Sequence, residues 1–205
     1  MSELFEAVKK GDLAKAKAAA QQSLDEGLTP QSIIYDNMIP AMEAIGSDFE
    51  QGKVFVPNLL LAARAMKGAL DVLKPVMAGD GGIGLGKIVI GTVKGDLHDI
   101  GKNLVASMLE GCGFEVINLG VDVPKERFVQ ALRDSGARIL CISALLTTTM
   151  GYMKDVIDAV REAGLDVKIM VGGAPVNAEF AASIGADGYS SNANEAVTLA
   201  KSLVL

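Results

Sequence analysis

The chain has 205 residues, half of them hydrophobic, and a formal net charge of -6. That much apolar chain can bury at least one sizeable core, while an acidic balance with lysine and arginine spread throughout argues against a nucleic-acid partner and against an anionic membrane surface. The opening MSELFEAVKKGDLAKAK is polar and helical, without the apolar core of a signal peptide, and no later run reaches bilayer-spanning length, so a cytoplasmic location is expected.

Over residues 1–78 apolar side chains recur at helical spacing: Ile34, Met38, Met42 (with Ile39), Ile45 and Phe49, then Leu59, Ala63, Met66, Leu70 and Leu73. Gly11-Asp12, Gly27 before Thr29-Pro30, and Gly52 before Val56-Pro57 punctuate the pattern, with Thr29 as an N-cap and Pro30 in the first helical position. The reading is about four helices in a small bundle. Residues 79–86 are too rich in glycine for helix or strand and form a linker. They precede the first strand instead of following it, which is the wrong context for a phosphate loop.

From Lys87 to the end, short apolar runs alternate with helical segments: KIVIGTV, a helix over 101–110, FEVINLG, a helix after Pro124, ARILCIS, a helix from Thr149, VKIMVGG, a helix after Pro175, then DGYS and a last helix. Near-continuous apolar strands in βα alternation specify a parallel sheet covered on both faces, whose ligands sit in the loops at the carboxyl ends of the strands. Cys112 and Cys141 have neither metal-ligand spacing nor a disulfide framework around them and read as reduced, structural thiols.

The loop after the first strand, Gly95 to Asn103, holds the only histidine of the chain, His98. By position alone His98 also reads as a surface histidine beside a helix start. Asp96, two residues earlier, favours a ligand, because a metal-bound imidazole usually has its other ring nitrogen held by a carboxylate. One histidine cannot build a zinc site, which needs three or four protein donors. A metal with a single protein ligand must bring its other donors in a macrocycle.

Asp96-x-His98-x-x-Gly101, then 41 residues to Ser143-x-Leu145, then 26 residues to Gly172-Gly173, all at the ends of successive predicted strands, resembles the cobalamin-binding signature of corrinoid-dependent methyltransferases and mutases. In the helical half, Phe49-Glu50-x-Gly52-Lys53-x-Phe55-Val56-Pro57 followed by Ala62-Ala63-Arg64-Ala65-Met66 is similar to the cap bundle of the methyl-carrying members. The likeness spans nearly the whole chain and is to the methyltransferase cognate corrinoid proteins, themselves similar to the cobalamin module of methionine synthase.

The resemblance implies an α/β chain: an N-terminal four-helix bundle cap, then a Rossmann-like, flavodoxin-like domain with a five-stranded parallel sheet over 87–205. It implies that His98 takes the lower axial position on the cobalt of a cobalamin or related corrinoid whose nucleotide base is displaced into a slot between sheet and helices. Asp96, Leu97, Asp99, Ile100, Gly101, Ser143, Leu145, Thr147, Thr148, Gly172 and Gly173 would surround that cofactor, Ser143 donating a hydrogen bond toward Asp96. Phe49 and Val56 would supply a lid over the upper face, Val56 being smaller than the Leu of some members, and residues 79–86 a hinge that lets the lid move. Other readings stay open for several of these residues: Asp99, Thr147 and Thr148 also read as helix caps, Gly172-Gly173 as a strand-end turn before Pro175, and Val121-Asp122-Val123-Pro124 as either the corrin-edge loop or a plain turn.

The function so implied is a methyl carrier, not itself catalytic. A substrate-specific methyltransferase acting on a methylated amine, methanol or a methoxyl donor would load the methyl group, a second methyltransferase would pass it to a thiol or folate, and a reductive activase is a further expected partner. The rivals are the cobalamin-binding small subunit of a mutase, which typically lacks the helical cap; a cobalamin-dependent sensor, which would usually bring an output or DNA-binding segment; and a cofactor-free interaction domain.

Overall fold

The computed structural model describes residues 2–77 and 85–204, so residues 79–84 of the expected linker lie outside the described residues. The chain divides into two compact units, one of residues 1–84 with 110–113 and the other of residues 85–109 with 114–205.

Polar caps set the helix starts in the first unit. Ser2 Oγ accepts from the Phe5 amide at 3.1 Å ahead of α1 (Glu3–Lys9), and Asp12 Oδ1 accepts from the Lys15 amide at 3.1 Å ahead of α2 (Leu13–Asp25). Each replaces an acceptor that the first turn of a helix lacks. Thr29 Oγ1 accepts from the Ser32 amide at 3.2 Å and Pro30 opens α3 (Pro30–Ile33). The periodic run that follows is not one uniform helix. A π-helical turn over Ile34–Met38 links α3 to α4 (Ile39–Glu50), closed by the Ile39 amide on the Ile34 carbonyl. Pro40 explains it: a proline has no amide to give the carbonyl four residues back and its ring crowds that carbonyl, so the turn before it widens. After Gly52, α5 (Val56–Met77) completes the unit. Ile34, Met38, Met42, Ile45, Leu59, Ala63, Met66, Leu70 and Leu73 are all buried, as their spacing predicts, together with Leu4, Val8, Ala16 and Ala20 from the first two helices.

The second unit is built on five parallel strands, β1 (Lys87–Thr92), β2 (Glu115–Asn118), β3 (Ile139–Ser143), β4 (Lys168–Gly172) and β5 (Gly188–Tyr189), in the order β2-β1-β3-β4-β5. The helices between and after them are α6 (Ile100–Gly111), α7 (Lys125–Ser135), α8 (Thr147–Met150), α9 (Tyr152–Glu162), α10 (Ala178–Ser183) and α11 (Ala193–Val204). The expected helix from Thr149 is thus split at Gly151 into α8 and α9. One core gathers Val89, Phe128, Leu132, Leu140, Met153, Val156, Ile169 and Val171, each such side chain contributing about 1.5–3 kcal/mol on full burial. This is the flavodoxin-like order, in which the sheet is extended from β1 in both directions and a crevice opens at the carboxyl ends of β1 and β3.

Register places the site. Thr92 is paired with Ser143, and Ser143 with Gly172. The last residues of β1, β3 and β4 therefore lie in one row across the sheet, and the three loops that leave them start side by side.

Candidate functional site

Asp96 is the centre of this edge. It is fully buried, and its carboxylate gathers donors from two of the three loops. Oδ1 accepts from the His98 amide at 3.1 Å and sits 2.7 Å from His98 Nδ1. Oδ2 accepts from the Leu145 amide at 2.7 Å, the Leu146 amide at 3.2 Å and the Thr149 hydroxyl at 2.8 Å. Burial alone pushes the Asp96 carboxyl up, but the bonds from Leu145, His98 and Thr149 outweigh it and hold the group well below the usual carboxylate range. An ionised acceptor at Oδ1 places the imidazole proton on Nδ1, which leaves Nε2 with a free lone pair. The ring is half exposed, and the His98 main chain is fixed from below, where the buried Thr92 hydroxyl donates to the His98 carbonyl at 2.9 Å.

Apolar side chains surround this imidazole in sequence and at the same sheet edge. Leu97 and Ile100 are 72% and 87% exposed, and Leu145 and Leu146 are each 41% exposed. Large apolar groups held in the open beside a ligand-competent nitrogen suit an apolar-faced ligand. Among the described residues no group of three or more His, Cys, Asp or Glu could hold a metal. A lone imidazole such as that of His98 suits a metal only when the metal carries its remaining ligands with it.

Several expected residues take roles that differ from the reading of their sequence. The hydroxyl that reaches Asp96 belongs to Thr149, not to Ser143; Ser143 ends β3 partly buried, one residue before the buried Ala144 whose amide bonds the Gly172 carbonyl at 3.3 Å. Thr147 and Thr148 are exposed at the start of α8, which has no side-chain cap. Asp99 precedes α6, but its carboxylate accepts from the Asn103 side chain at 2.9 Å instead of capping a backbone amide. Gly101 is exposed, and a Cβ there would meet nothing within 4 Å. Gly173, with φ +137°, is where a backbone approaches closely: a Cβ at this position would collide with the Ala144 carbonyl oxygen. Gly172 is looser, its nearest neighbour being the Ser190 carbonyl oxygen at 3.2 Å from such a Cβ.

Two further groups make contacts that the sequence reading did not assign to them. Lys102, on the first turn of α6, is buried; its ammonium donates to Asn103 Oδ1 at 2.6 Å and to Asn118 Oδ1, at the end of β2, at 2.8 Å. Burial pulls it below the usual lysine range, with the charge of Asp99 opposing. Asp122, in the loop after β2, accepts from the Gly95 amide at 2.7 Å. The helical inward face of Lys102 was a possible signal; for Asp122 the signal was its place in the Val121-Asp122-Val123-Pro124 segment, which named a loop or turn but no partner.

Phe49, at the end of α4, is partly buried; Val56, the first residue of α5, is 38% exposed beside Phe55 at 71%. Both thiols, Cys112 and Cys141, are buried, and burial pushes Cys141 up to about 12. No helix of the described residues is long and apolar enough to cross a membrane.

A family model described as a B12 binding domain matches residues 86–198, and a second B12 binding domain model matches residues 2–74. The chain is 44% identical over 190 residues to dimethylamine corrinoid protein 2 of Methanosarcina acetivorans, covering 91% of this chain and 88% of that one. Among solved structures it is similar to a cobalamin-binding protein from Desulfitobacterium hafniense DCB-2, with a TM-score of 0.83 and 32% identity over 98% of this chain and 96% of that one. It is also similar to a chain of the methanol:cobalamin methyltransferase complex from Methanosarcina barkeri, with a TM-score of 0.85 and 30% identity over 98% of this chain and 78% of that one.

Proposed function

The chain belongs to the B12-binding methyltransferase cognate corrinoid proteins, and from that membership we propose how its own residues do the work of a methyl carrier. It binds a corrinoid, carries a methyl group on it, and partners methyltransferases. The cofactor, when bound, supplies a cobalt centre that accepts and gives up a methyl group.

The observation that carries the residue-level reading is the His98 imidazole, half exposed, with Nδ1 held by a buried, ionised Asp96 and Nε2 left open. This donor fits a metal that arrives with an equatorial macrocycle, and the exposed Leu97, Ile100 and Leu145 fit its apolar faces. In the proposal His98 would hold the cobalt; Asp96 keeps the ring in the right tautomer; the Leu145 amide, His98 and Thr149 keep Asp96 ionised. Asp99, Gly101, Ser143, Thr147, Thr148, Gly172 and Gly173 border the cofactor and its displaced tail. Phe49 and Val56 are the residues of the helical unit to which the proposal gives the lid.

The finer assignments of partners belong to the same proposal. A methylamine methyltransferase is the favoured donor, with methanol or methoxyl enzymes as the other options; a second methyltransferase delivers to a thiol or folate; a reductive activase restores the cobalt after oxidation; and the system works in the cytoplasm. The experiment is a methyl-transfer assay. The corrinoid-loaded chain, kept anaerobic with a chemical reductant strong enough to bring the cobalt to Co(I) and mixed with a purified methylamine methyltransferase and isotopically labelled dimethylamine, is expected to take up one methyl group per bound corrinoid and to release monomethylamine. Loading with no uptake from any methylamine, methanol or methoxyl system would refute the proposed partners.

A further inference from the structure

We infer that Asp122 is a positioning residue for the axial imidazole, acting through Gly95 and Asp96. Among the described residues Asp122 is the only non-glycine with positive φ, at 54°. Asn and Asp are the L-residues that enter that region most often, and bonds made by the residue hold it there. Here two bonds do so, and both end on the loop that carries the site: the Gly95 amide donates to Asp122 Oδ1 at 2.7 Å, and the Asp122 amide donates to the Asp96 carbonyl at 3.0 Å.

The loop that bears Asp122 is fixed at both ends. The Thr92 amide donates to the Gly120 carbonyl at 3.0 Å and the Val123 amide to the Thr92 carbonyl at 3.0 Å, so the ladder between β1 and β2 continues past the end of β2. At the start of the loop, Asn118 Oδ1 accepts both the Gly120 amide at 3.0 Å and the buried Lys102 ammonium at 2.8 Å. Held at 118–120 and again at 123, the chain turns the Asp122 carboxylate toward Gly95 with φ at 122 in the left-handed region.

The consequence concerns direction. Asp96 can point its carboxylate at His98 Nδ1 and at the loop after β3 only if its own backbone is fixed, and Asp122 fixes it on both sides, at the amide of residue 95 and the carbonyl of residue 96. The hydrogen bonds of Asp122 go to Gly95 and Asp96, not to His98. The inference rests on the reading of His98 as the cobalt ligand, but the geometry it concerns exists without the cofactor.

The test compares D122G, D122N and the wild-type full chain. Glycine adopts the positive φ freely and removes the acceptor; asparagine tolerates that φ and keeps an acceptor oxygen. In the corrinoid-free protein labelled with nitrogen-15 histidine, the Nδ1 proton of the single imidazole is followed by NMR. In the same labelled protein loaded with hydroxocobalamin and reduced to Co(II), the two-line nitrogen-15 superhyperfine splitting of the EPR signal reports ligation by the histidine ring, as distinct from the three lines of the cofactor's own base. D122G is expected to exchange the Nδ1 proton faster than wild type, to bind hydroxocobalamin about tenfold more weakly and to lose a large share of the nitrogen-split signal, while D122N stays close to wild type in all three. D122G behaving as wild type, or D122N losing as much as D122G, would overturn the inference. Were the wild type to take up no corrinoid, the ligand reading would fall, and the NMR comparison would still decide the role of Asp122.

Discussion

Replacing Asp96 by asparagine keeps the shape of the side chain and changes the proton inventory around it. The amide oxygen of the variant can retain all three donors now on Oδ2, the Leu145 and Leu146 amides at 2.7 and 3.2 Å and the Thr149 hydroxyl at 2.8 Å. The amide NH2 must then face the two donors now on Oδ1, the His98 amide at 3.1 Å and His98 Nδ1 at 2.7 Å. The ring repairs its half of the conflict by moving its proton from Nδ1 to Nε2, which turns Nδ1 into an acceptor. The His98 amide has no such remedy and loses its acceptor, at a cost of about 1–3 kcal/mol in stability of the sheet unit. The proton on Nε2 occupies the lone pair offered to cobalt, so His-ligated corrinoid binding falls by roughly 10–100-fold. Because His98 is the only histidine, long-range nitrogen-15 NMR of the corrinoid-free protein reads the tautomer without ambiguity. Wild type is expected as the Nδ1–H form and D96N as the Nε2–H form. A D96N protein that keeps its proton on Nδ1 would refute the argument that the carboxylate chooses the tautomer.

The same carboxylate makes an acid-stability signature. Its native pKa lies below the ordinary value of 3.8, so its stabilisation is fully present above the unfolded pKa and is lost as pH falls through the lower native value; urea midpoints measured from pH 6 down to pH 3 should fall more steeply for wild type than for D96N below about pH 4. Thr149→Val removes a donor to Asp96 and should cost about 1 kcal/mol in urea unfolding, whereas Ser143→Ala should cost less, the reverse of the order expected were Ser143 the partner of Asp96. Gly173→Ala meets both a left-handed φ and the Ala144 carbonyl, and a loss of roughly 2–4 kcal/mol is expected; the same change at the exposed Gly101 should leave the urea midpoint nearly unmoved.

Much of the architecture is legible because each level of the sequence agrees with the next. Apolar runs in βα alternation mark the five strands, and three motifs at strand ends fall into one row because Thr92, Ser143 and Gly172 share a register. Asp96 and His98 are two residues apart, so their pairing is local and readable. What stays hidden is long-range or indifferent to hydropathy. Thr149 reaches Asp96 across 53 positions, and nothing in the run of three threonines distinguishes it from Thr147 and Thr148. Lys102 and Asn118 meet only once α6 has packed beside β2, and Asp122 lies in a Val-Asp-Val-Pro segment that an ordinary turn explains equally well. The π-helical turn before Pro40 is invisible to apolar spacing because Ile34, Met38, Met42 and Ile45 stay on one face through it; the proline was the available signal.

If His98 is the single protein ligand of a corrinoid cobalt, anaerobic reconstitution of wild type and His98→Ala with hydroxocobalamin, followed by absorbance spectra, separates the two proteins. Wild type is expected to retain the corrinoid after gel filtration with a base-off, imidazole-ligated spectrum, and the variant to lose that ligation. Identical spectra for the two proteins, or a wild type that emerges without corrinoid, would contradict this role of His98.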